Sequence, residues 1–453
     1  MHIFIVGTGR IGAALAKQLA KDGYDITVID SNEMVLDTIS NSVDAIGYQG
    51  NGASYGTLVE LGAKDADVLI AVTNSDEINL LSCFTAHALG TKHTIARVRD
   101  VDYAVHHHFY KENLGLSMVI NPDLASASEI FRILRFPMAT RVELFAGGRA
   151  ELVEMVVKED SKLNGLSLSQ INKNLGFGLL VCAIVHEGEV FVPKGNAVIH
   201  AGDTLYLTGA PKEFRNTFKK LNLSTKPLES VMIYGNDRIT YYLGQLLIKE
   251  GVRVVIVNAD TEVCTKLSEA LPKASVMNDD AFKYFDSMSD GDIANTDAFI
   301  AITTDDENNI IASMYAESKG VRKVVARVSS KERIKVIPNT SNIGTISRED
   351  VASDRILGYT RALINAEGKA EFESLYRLLD GQLEFIEFNV SEKAVNLGVP
   401  LKNLKIKKNV LLAGIIRNNE MIIPHGDDEI NAGDVAIVAT VNNQISGLQD
   451  IYE

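Results

Sequence analysis

The chain is short of proline, cysteine and positive charge, and each shortage excludes a class of protein. Nine prolines in 453 residues, against 34 glycines, argue against long disordered linkers. The three cysteines, Cys83, Cys182 and Cys264, lie far apart in apolar periodic segments. So sparse and odd a count predicts buried thiols in a reducing compartment and no disulfide frame. Lys and Arg number 45 against 59 Asp and Glu, a formal charge of −14. This balance disfavours nucleic acid, whose phosphates call for a concentrated basic face. It equally disfavours direct lipid anchoring, which relies on Lys/Arg clusters. No apolar run approaches the roughly 20 residues of a membrane-spanning helix. The opening MHIFIVGTGR has no basic leader, and its Gly7-Thr8-Gly9 turn interrupts the apolar stretch too early for a signal peptide. The expectation is a cytoplasmic protein, held at any membrane only through another protein.

What the chain does have is a repeat at an offset of about 230 residues. HIFIVGTGRIGAALAKQLAKDGYDITVID matches MIYGNDRITYYLGQLLIKEGVRVVIVNAD, with Gly7 on Gly235, Arg10 on Arg238, Gly23 on Gly251 and Asp30 on Asn258. AVTNSDEINL matches AITTDDENNI, and IARVRD matches VARVSS. The later halves repeat too: PKGNAVIHAGDTLYLTG pairs with PHGDDEINAGDVAIVAT, placing Gly202 on Gly433 and Asp203 on Asp434. One two-domain unit has been duplicated.

Within each unit, short β-branched runs first alternate with amphipathic helices, the pattern of βαβ units on a parallel sheet. The apolar runs do not alternate strictly, as expected for strands covered on both faces. A bridging helix follows Asn121-Pro122 and ends before Pro137. From about Leu152 the pattern turns to short strands and glycine turns, with HEGE and RNNE reading as hairpins. The predicted fold class is α/β: tandem Rossmann-like, doubly wound parallel sheets, each followed by a small β-rich α+β domain. The predicted domains are residues 1–122, 140–223, 228–348 and 370–453.

Gly7-x-Gly9-x-x-Gly12 follows an apolar strand and opens a helix, the context in which such a loop cradles a pyrophosphate. The first glycine allows the turn, the second lets the backbone approach phosphate, and the third packs helix on strand. Backbone N–H groups at the helix start then face the anion. Asp30, ending the second strand, suits ribose hydroxyls and repels a 2′-phosphate. Arg10, in the first helical turn, is placed to clamp phosphates. Arg97 and Arg99 end the fifth strand on one face, at the sheet edge where ligands of open α/β sheets bind. Thr73 and Asn74 are expected beside the ligand's second ring or ribose, and Asn51 with Gly52 near adenine. The second copy departs at Asp237, Thr240 and Asn258, so it is expected to bind nucleotide weakly or not at all.

GTGRIG with Asp30, the AVTNSDE and ARVRD stretches, the NP-helix bridge and the doubled P-x-G-x(6)-G-D hairpin resemble the TrkA family of Trk potassium-uptake regulators, which carry two RCK N-domains and two RCK C-domains. The resemblance covers nearly the whole chain. It implies a cytosolic oligomeric ring, typically a tetramer, docked beneath a membrane potassium channel-like subunit and responding to NAD(H) or ATP/ADP. It also implies nucleotide contacts at Gly7, Thr8, Gly9, Arg10, Ile11, Gly12, Asp30, Thr73, Asn74, Arg97, Val98 and Arg99.

The competing reading is an NAD-dependent oxidoreductase, which needs an acid/base group aimed at a substrate carbonyl. No convincing His, Lys or Tyr constellation meets that need, and the expectation is a protein with no catalytic residue. His186 falls on Arg417 and His200 on Asn431, so neither is retained across the copies. His106-His107-His108 reads as a solvated helix face, because consecutive helical side chains diverge. Asp76-Glu77 and Asp305-Asp306-Glu307 read as charge favoured by a helix start, with a divalent ion as the alternative. No metal is expected.

Overall fold

The computed structural model describes residues 1–100, 103, 110, 113–135, 139–145, 149–175, 178–221, 228–289, 295–338, 341, 343–366, 372–441, 445 and 447–453. The histidine run 106–108 lies outside these. The chain divides into two compact units. One holds Met1–Glu129 with Asp237–Leu246 and Ile346–Thr360; the other holds Ile130–Asn236, Leu247–Thr345 and Arg361–Glu453.

The first copy opens with strands β1 (His2–Val6), β2 (Asp25–Asp30), β3 (Ile46–Gln49), β4 (Val68–Ala71), β5 (His93–Arg97) and β6 (Met118–Ile120). They form one sheet in the order β3-β2-β1-β4-β5-β6, with every pair parallel. The order reverses between β1 and β4, and a crevice at the strand C-termini follows from that reversal. Helices α1 (Arg10–Lys21), α2 (Glu33–Ser40), α3 (Tyr55–Glu60), α4 (Asp76–Leu89) and α5 (Pro122–Arg135) make the crossovers and the bridge. Ile11, Leu15, Ala16 and Leu19 of α1 recur at helical spacing and are buried. With Ile3, Ile5, Val28 and Ile70 they fill one face of the sheet, while Phe4, Leu69, Ala71, Leu80 and Cys83 fill the other. Burial on both faces accounts for strands that read as unbroken apolar runs.

After the bridge come β7 (Ala139–Phe145), β8 (Ala150–Val156), α6 (Leu168–Leu175), β9 (Leu180–His186), β10 (Glu189–Phe191), β11 (Thr204–Gly209) and α7 (Pro211–Lys220). The sheet is antiparallel, in the order β10-β9-β11-β8-β7. The second copy repeats the plan with β12 (Ser230–Gly235), α8 (Arg238–Lys249), β13 (Arg253–Asn258), α9 (Thr261–Ala270), β14 (Ser275–Asn278), α10 (Ala281–Ser287), β15 (Ala298–Ile302), α11 (Asp306–Ser318), β16 (Lys323–Arg327), α12 (Lys331–Ile334), β17 (Ile343–Ile346) and α13 (Arg348–Ala366). Its order, β14-β13-β12-β15-β16-β17, is that of the first sheet. The last domain holds β18 (Phe372–Leu378), β19 (Leu383–Asn389), β20 (Val410–Arg417), β21 (Glu420–Ile422) and β22 (Val435–Val441), ordered β18-β19-β22-β20-β21. The fold class read from the sequence is the one observed. The three cysteines are buried and free.

Each small sheet buries two faces. One face of the first packs with Phe214 and Phe218, and one face of the second with Ile430, Leu448 and Ile451. The remaining faces share a single core: Phe145, Leu152, Cys182 and Tyr206 meet Leu383, Phe385, Ile437 and Ala439. The two β-domains therefore cover one another. Both predicted hairpins are present. Glu187-Gly188 and Asn418-Asn419 all take positive φ, the backbone of tight two-residue turns.

Candidate functional site

At the end of β1 the three glycines of the first turn serve different needs. Gly7 has φ +93°, and a side chain there would press on the Thr73 backbone nitrogen, 2.8 Å away. Gly12 lies against the Gly7 carbonyl, so a Cβ would collide with it. Both are required by the fold. Gly9 is not: its φ is −63° and a Cβ would meet nothing within 4 Å among the described residues. Gly9 is also the N-cap of α1, and no side chain accepts a hydrogen bond from that helix start. An uncapped helix N-terminus leaves backbone donors and the positive end of the dipole facing the crevice.

Asp30, at the end of β2, is anchored by three donors. Thr8 gives its N–H and hydroxyl to Oδ2, each at 2.7 Å, and Asn32 gives its N–H to Oδ1 at 3.0 Å. Burial works to raise the Asp30 carboxyl, but the Thr8, Asn32 and Ser31 hydrogen bonds prevail and hold it below its usual range. The carboxylate is ionised and fixed in place, an acceptor suited to vicinal hydroxyls.

Opposite, the segment after β5 is pinned at nearly every backbone group. Asn79 is fully buried; its Oδ1 takes the Thr73 N–H and hydroxyl, both at 2.8 Å, and its Nδ2 donates to Thr73 O and Arg97 O. Asp76 Oδ2 takes the N–H groups of Arg99 and Asp100, each at 2.8 Å. Val98 N–H goes to Ile120 O at 2.9 Å, and Asn121 Nδ2 donates to Arg99 O at 3.4 Å. Asp76 lies in the first turn of α4, as read from sequence, and has a further role. It is buried and brackets the arginine loop, and Asp306 does the same for Ser329 and Ser330.

The guanidinium groups are poorly satisfied by the protein. Arg97 is 8% exposed and makes only 3.4 Å contacts to Val72 O and Asn74 Oδ1. Arg99 donates to Asn74 O at 2.8 Å. The Nε of each is buried without a hydrogen-bond partner among the described residues. Burial brings Arg97 down to about 10, with Arg99 and Arg348 adding like-charge repulsion, yet it stays cationic at neutral pH. One buried and one half-buried cation, both under-satisfied, together with an uncapped helix start offer donors to anionic oxygen.

The structure brings Gly7, Thr8, Gly9 and Asp30 together on one side, and Thr73, Asn74, Arg97 and Arg99 on the other. The remaining predicted residues are Val98, Ile11, Arg10 and Asn51. Val98 is 1% exposed in the core with its N–H engaged, and Ile11 is likewise a core side chain. The Arg10 side chain is 72% exposed and faces Glu349 at 3.8 Å. Asn51 is exposed, with its Oδ1 taking the Ala53 N–H at 3.0 Å, and Gly52 lies against Val6. Sequence reasoning gave Asp76 and Asn121 other roles, a helix-start charge and the opening of the bridge, and did not single out Asn79. A signal that Asp76 and Asn79 act together was their recurrence as Asp306 and Asn309.

In the second copy the protein fills the corresponding features itself. Asp237, in place of Gly9, accepts the N–H groups of Ile239 and Thr240 at 3.0 and 3.4 Å, capping its own helix. Asn258, in place of Asp30, donates to Gly235 O at 3.0 Å. The lock at Asn309 is retained, accepting from Thr303 and donating to Arg327 O at 2.9 Å.

Comparison with known proteins agrees with the duplication. The TrkA-N domain model matches residues 3–122 and again 231–346, and the TrkA-C domain model matches 152–222 and 385–452. The chain is 28% identical to a Trk system potassium uptake protein TrkA homolog of Methanosarcina mazei, over the full length of both. It is 27% identical to the Trk system potassium uptake protein TrkA of Haemophilus influenzae, covering 97% of this chain and 95% of the relative. Among solved structures, the GsuK channel bound to NAD aligns with 97% of this chain and 77% of its own at a TM-score of 0.61 and 17% identity. The RCK domain of GsuK aligns with a TM-score of 0.59, also at 17% identity, over 97% of this chain and 92% of its own. At such identity these two bear on the fold alone.

Proposed function

The chain belongs to the family built from TrkA-N and TrkA-C domains, and from that premise we propose that it is the nucleotide-responsive regulatory subunit of a Trk-type potassium uptake system. It works in the cytoplasm, on the inner face of the membrane, by binding a membrane potassium-translocating subunit. It self-associates into a ring, a tetramer of double-unit chains. The four domains are residues 1–122, 140–223, 228–348 and 370–453, and only the first holds a nucleotide. The relatives named as Trk potassium uptake proteins support the setting, and the geometry of the first glycine turn supports the ligand class.

One observation carries the ligand assignment. Gly9 stands where neither backbone conformation nor packing needs a glycine, at an uncapped helix start. A phosphate approaching the backbone supplies the missing reason. On this reading Gly7–Gly12 cradle the diphosphate of NAD(H) or ATP/ADP, and Asp30 accepts from the ribose. Asn51 lies on the adenine side, Thr73 and Asn74 flank the second ring or ribose, and Arg97, Arg99 and Arg10 take phosphate charge. Val98 contributes backbone only. A ligand shifts the ring by binding two arrangements unequally. No residue is assigned a catalytic role; the His186 imidazole pairs with Asp203, which also accepts the His200 backbone N–H.

Calorimetric titration with NADH, ATP and ADP tests this. One equivalent per chain is expected, and Gly9→Asp, which copies Asp237, should fold normally and bind none. Two equal sites in the unmodified chain, or undiminished binding by Gly9→Asp, would overturn the assignment. Flux through the membrane partner should lose its nucleotide dependence with Gly9→Asp.

A further inference from the structure

Helix α13 comes from the second copy, yet its first half completes the first unit. Ala352, Ile356 and Leu357 bury in the same core as Ile11 and Leu15 of α1. That packing fixes the start of α13 beside the start of α1, and Glu349 is the residue so delivered. Its side chain is 12% exposed. One oxygen, Oε1, accepts from Arg348 Nη2 at 3.2 Å and faces Arg10 Nη1 at 3.8 Å. The other, Oε2, is buried with no hydrogen-bond partner among the described residues.

Arg348 cannot serve Glu349 alone, because it also pairs with Asp123 at 3.4 Å. Half of one guanidinium and an oxygen without donors leave this carboxylate under-neutralised. Its second cation is Arg10, whose exposed side chain is free to turn. Arg10 stands on the first turn of α1, directly after the uncapped Gly9. An anion at that helix start and Glu349 therefore draw on the same guanidinium.

We propose that Glu349, supplied by the second copy, is a specificity-determining residue of the first copy's nucleotide site: it competes with ligand phosphate for Arg10. This rests on the nucleotide reading above. A ligand that recruits Arg10 strips Glu349 of a cation, and a further phosphate charge near Arg10 also meets the carboxylate. Glu349 thus weakens a triphosphate more than a diphosphate. The degenerate copy, having filled its own glycine turn, acts as a built-in threshold on the phosphate charge that the intact copy accepts.

The test is calorimetric titration of the full chain with ATP and ADP. Glu349→Gln keeps the shape and removes the charge. It should tighten ATP by roughly three- to tenfold, given that Arg10 is solvent-screened while Glu349 is largely buried, and ADP by less. With Arg10→Ala already in place the ATP gain should be largely lost. Glu349→Asp, which keeps the charge but withdraws its reach, should give an intermediate ATP-to-ADP ratio, and it supplies the readout if Glu349→Gln fails to fold. Binding by the unmodified chain with a ratio unmoved by Glu349→Gln, or an equal gain without Arg10, would overturn the competition alone. No binding of either nucleotide by the unmodified chain would overturn the nucleotide reading and the competition with it.

Discussion

Asn79 holds four hydrogen bonds with one side chain, all of them to the two loops that present Thr73 and Arg97. Truncation leaves Thr73 N–H and Arg97 O buried without partners, and each such group costs about 1–3 kcal/mol. Asn79→Ala should therefore destabilise the first unit by about 3 kcal/mol, seen as a lowered denaturant midpoint. Nucleotide affinity should fall as well, because Arg97 loses its fixed backbone. A variant as stable as the parent, with unchanged affinity, would show that the β5 loop is held by other means. The site was only half legible at this scale. Gly7, Gly9, Gly12 and Asp30 announce themselves by spacing after a strand. Asp76 and Asn79 look like ordinary helix-start polar residues, because their grip on the Arg97–Asp100 segment reaches 18 to 24 positions along the chain.

Strand-scale features were legible where turn chemistry is local. HEGE and RNNE predict hairpins, and both β9–β10 and β20–β21 form them. The partners of those hairpins were not legible, since unlike residues do the same work. His186 Nδ1 meets buried Asp203 at 2.6 Å, while Arg417 grips buried Asp434 at 2.9 and 2.8 Å. The aspartates also take the His200 and Asn431 N–H groups at 2.7 and 2.8 Å. Divergence of His186 from Arg417 hides a shared demand for a cation. The first hairpin carries an imidazole, which can lose its proton, where the second carries a permanent guanidinium. The hydrogen bond to Asp203 raises His186; desolvation opposes it, and the charges of Asp203, Glu187 and Glu189 add to the rise. A raised folded pKa means that the stabilisation is whole below the unfolded value of about 6.5 and fades as pH climbs through the folded value. The melting temperature should accordingly fall from pH 6 to pH 9 more steeply for the parent than for His186→Arg, which places the permanent cation of the second copy in the first. Parallel slopes for the two proteins would remove His186 as a source of pH dependence.

Across the whole molecule, the duplication and the four-domain plan could be read from self-similarity, because a repeat keeps its register whatever its tertiary setting. What covers each apolar face could not, since periodicity marks a face as buried without naming its partner. The β-domains show this most clearly. Their inner faces form one core within the second unit, where the Phe145 ring lies 4.4 Å from Tyr376 and 5.5 Å from Phe385, centroid to centroid. Phe385 is fully buried on β19, and Phe145 is 1% exposed on β7. Removing the Phe385 ring leaves a cavity whose wall belongs to both domains, a change that costs about 3–5 kcal/mol in well-packed cores. Because the wall is shared, Phe385→Ala should loosen the first β-domain as well as the second. Hydrogen exchange is expected to quicken along β7 and β8 and along β19 and β22, with β9–β10 protection reduced less. Exchange quickened only within β18–β22 would mean that each sheet is stable without the other. The same reasoning makes the 140–223 segment alone a poor folding unit, since Phe145, Leu152 and Tyr206 would face water as a contiguous apolar patch. Expressed by itself, that segment should aggregate or self-associate, while a chain carrying both β-domains remains dispersed.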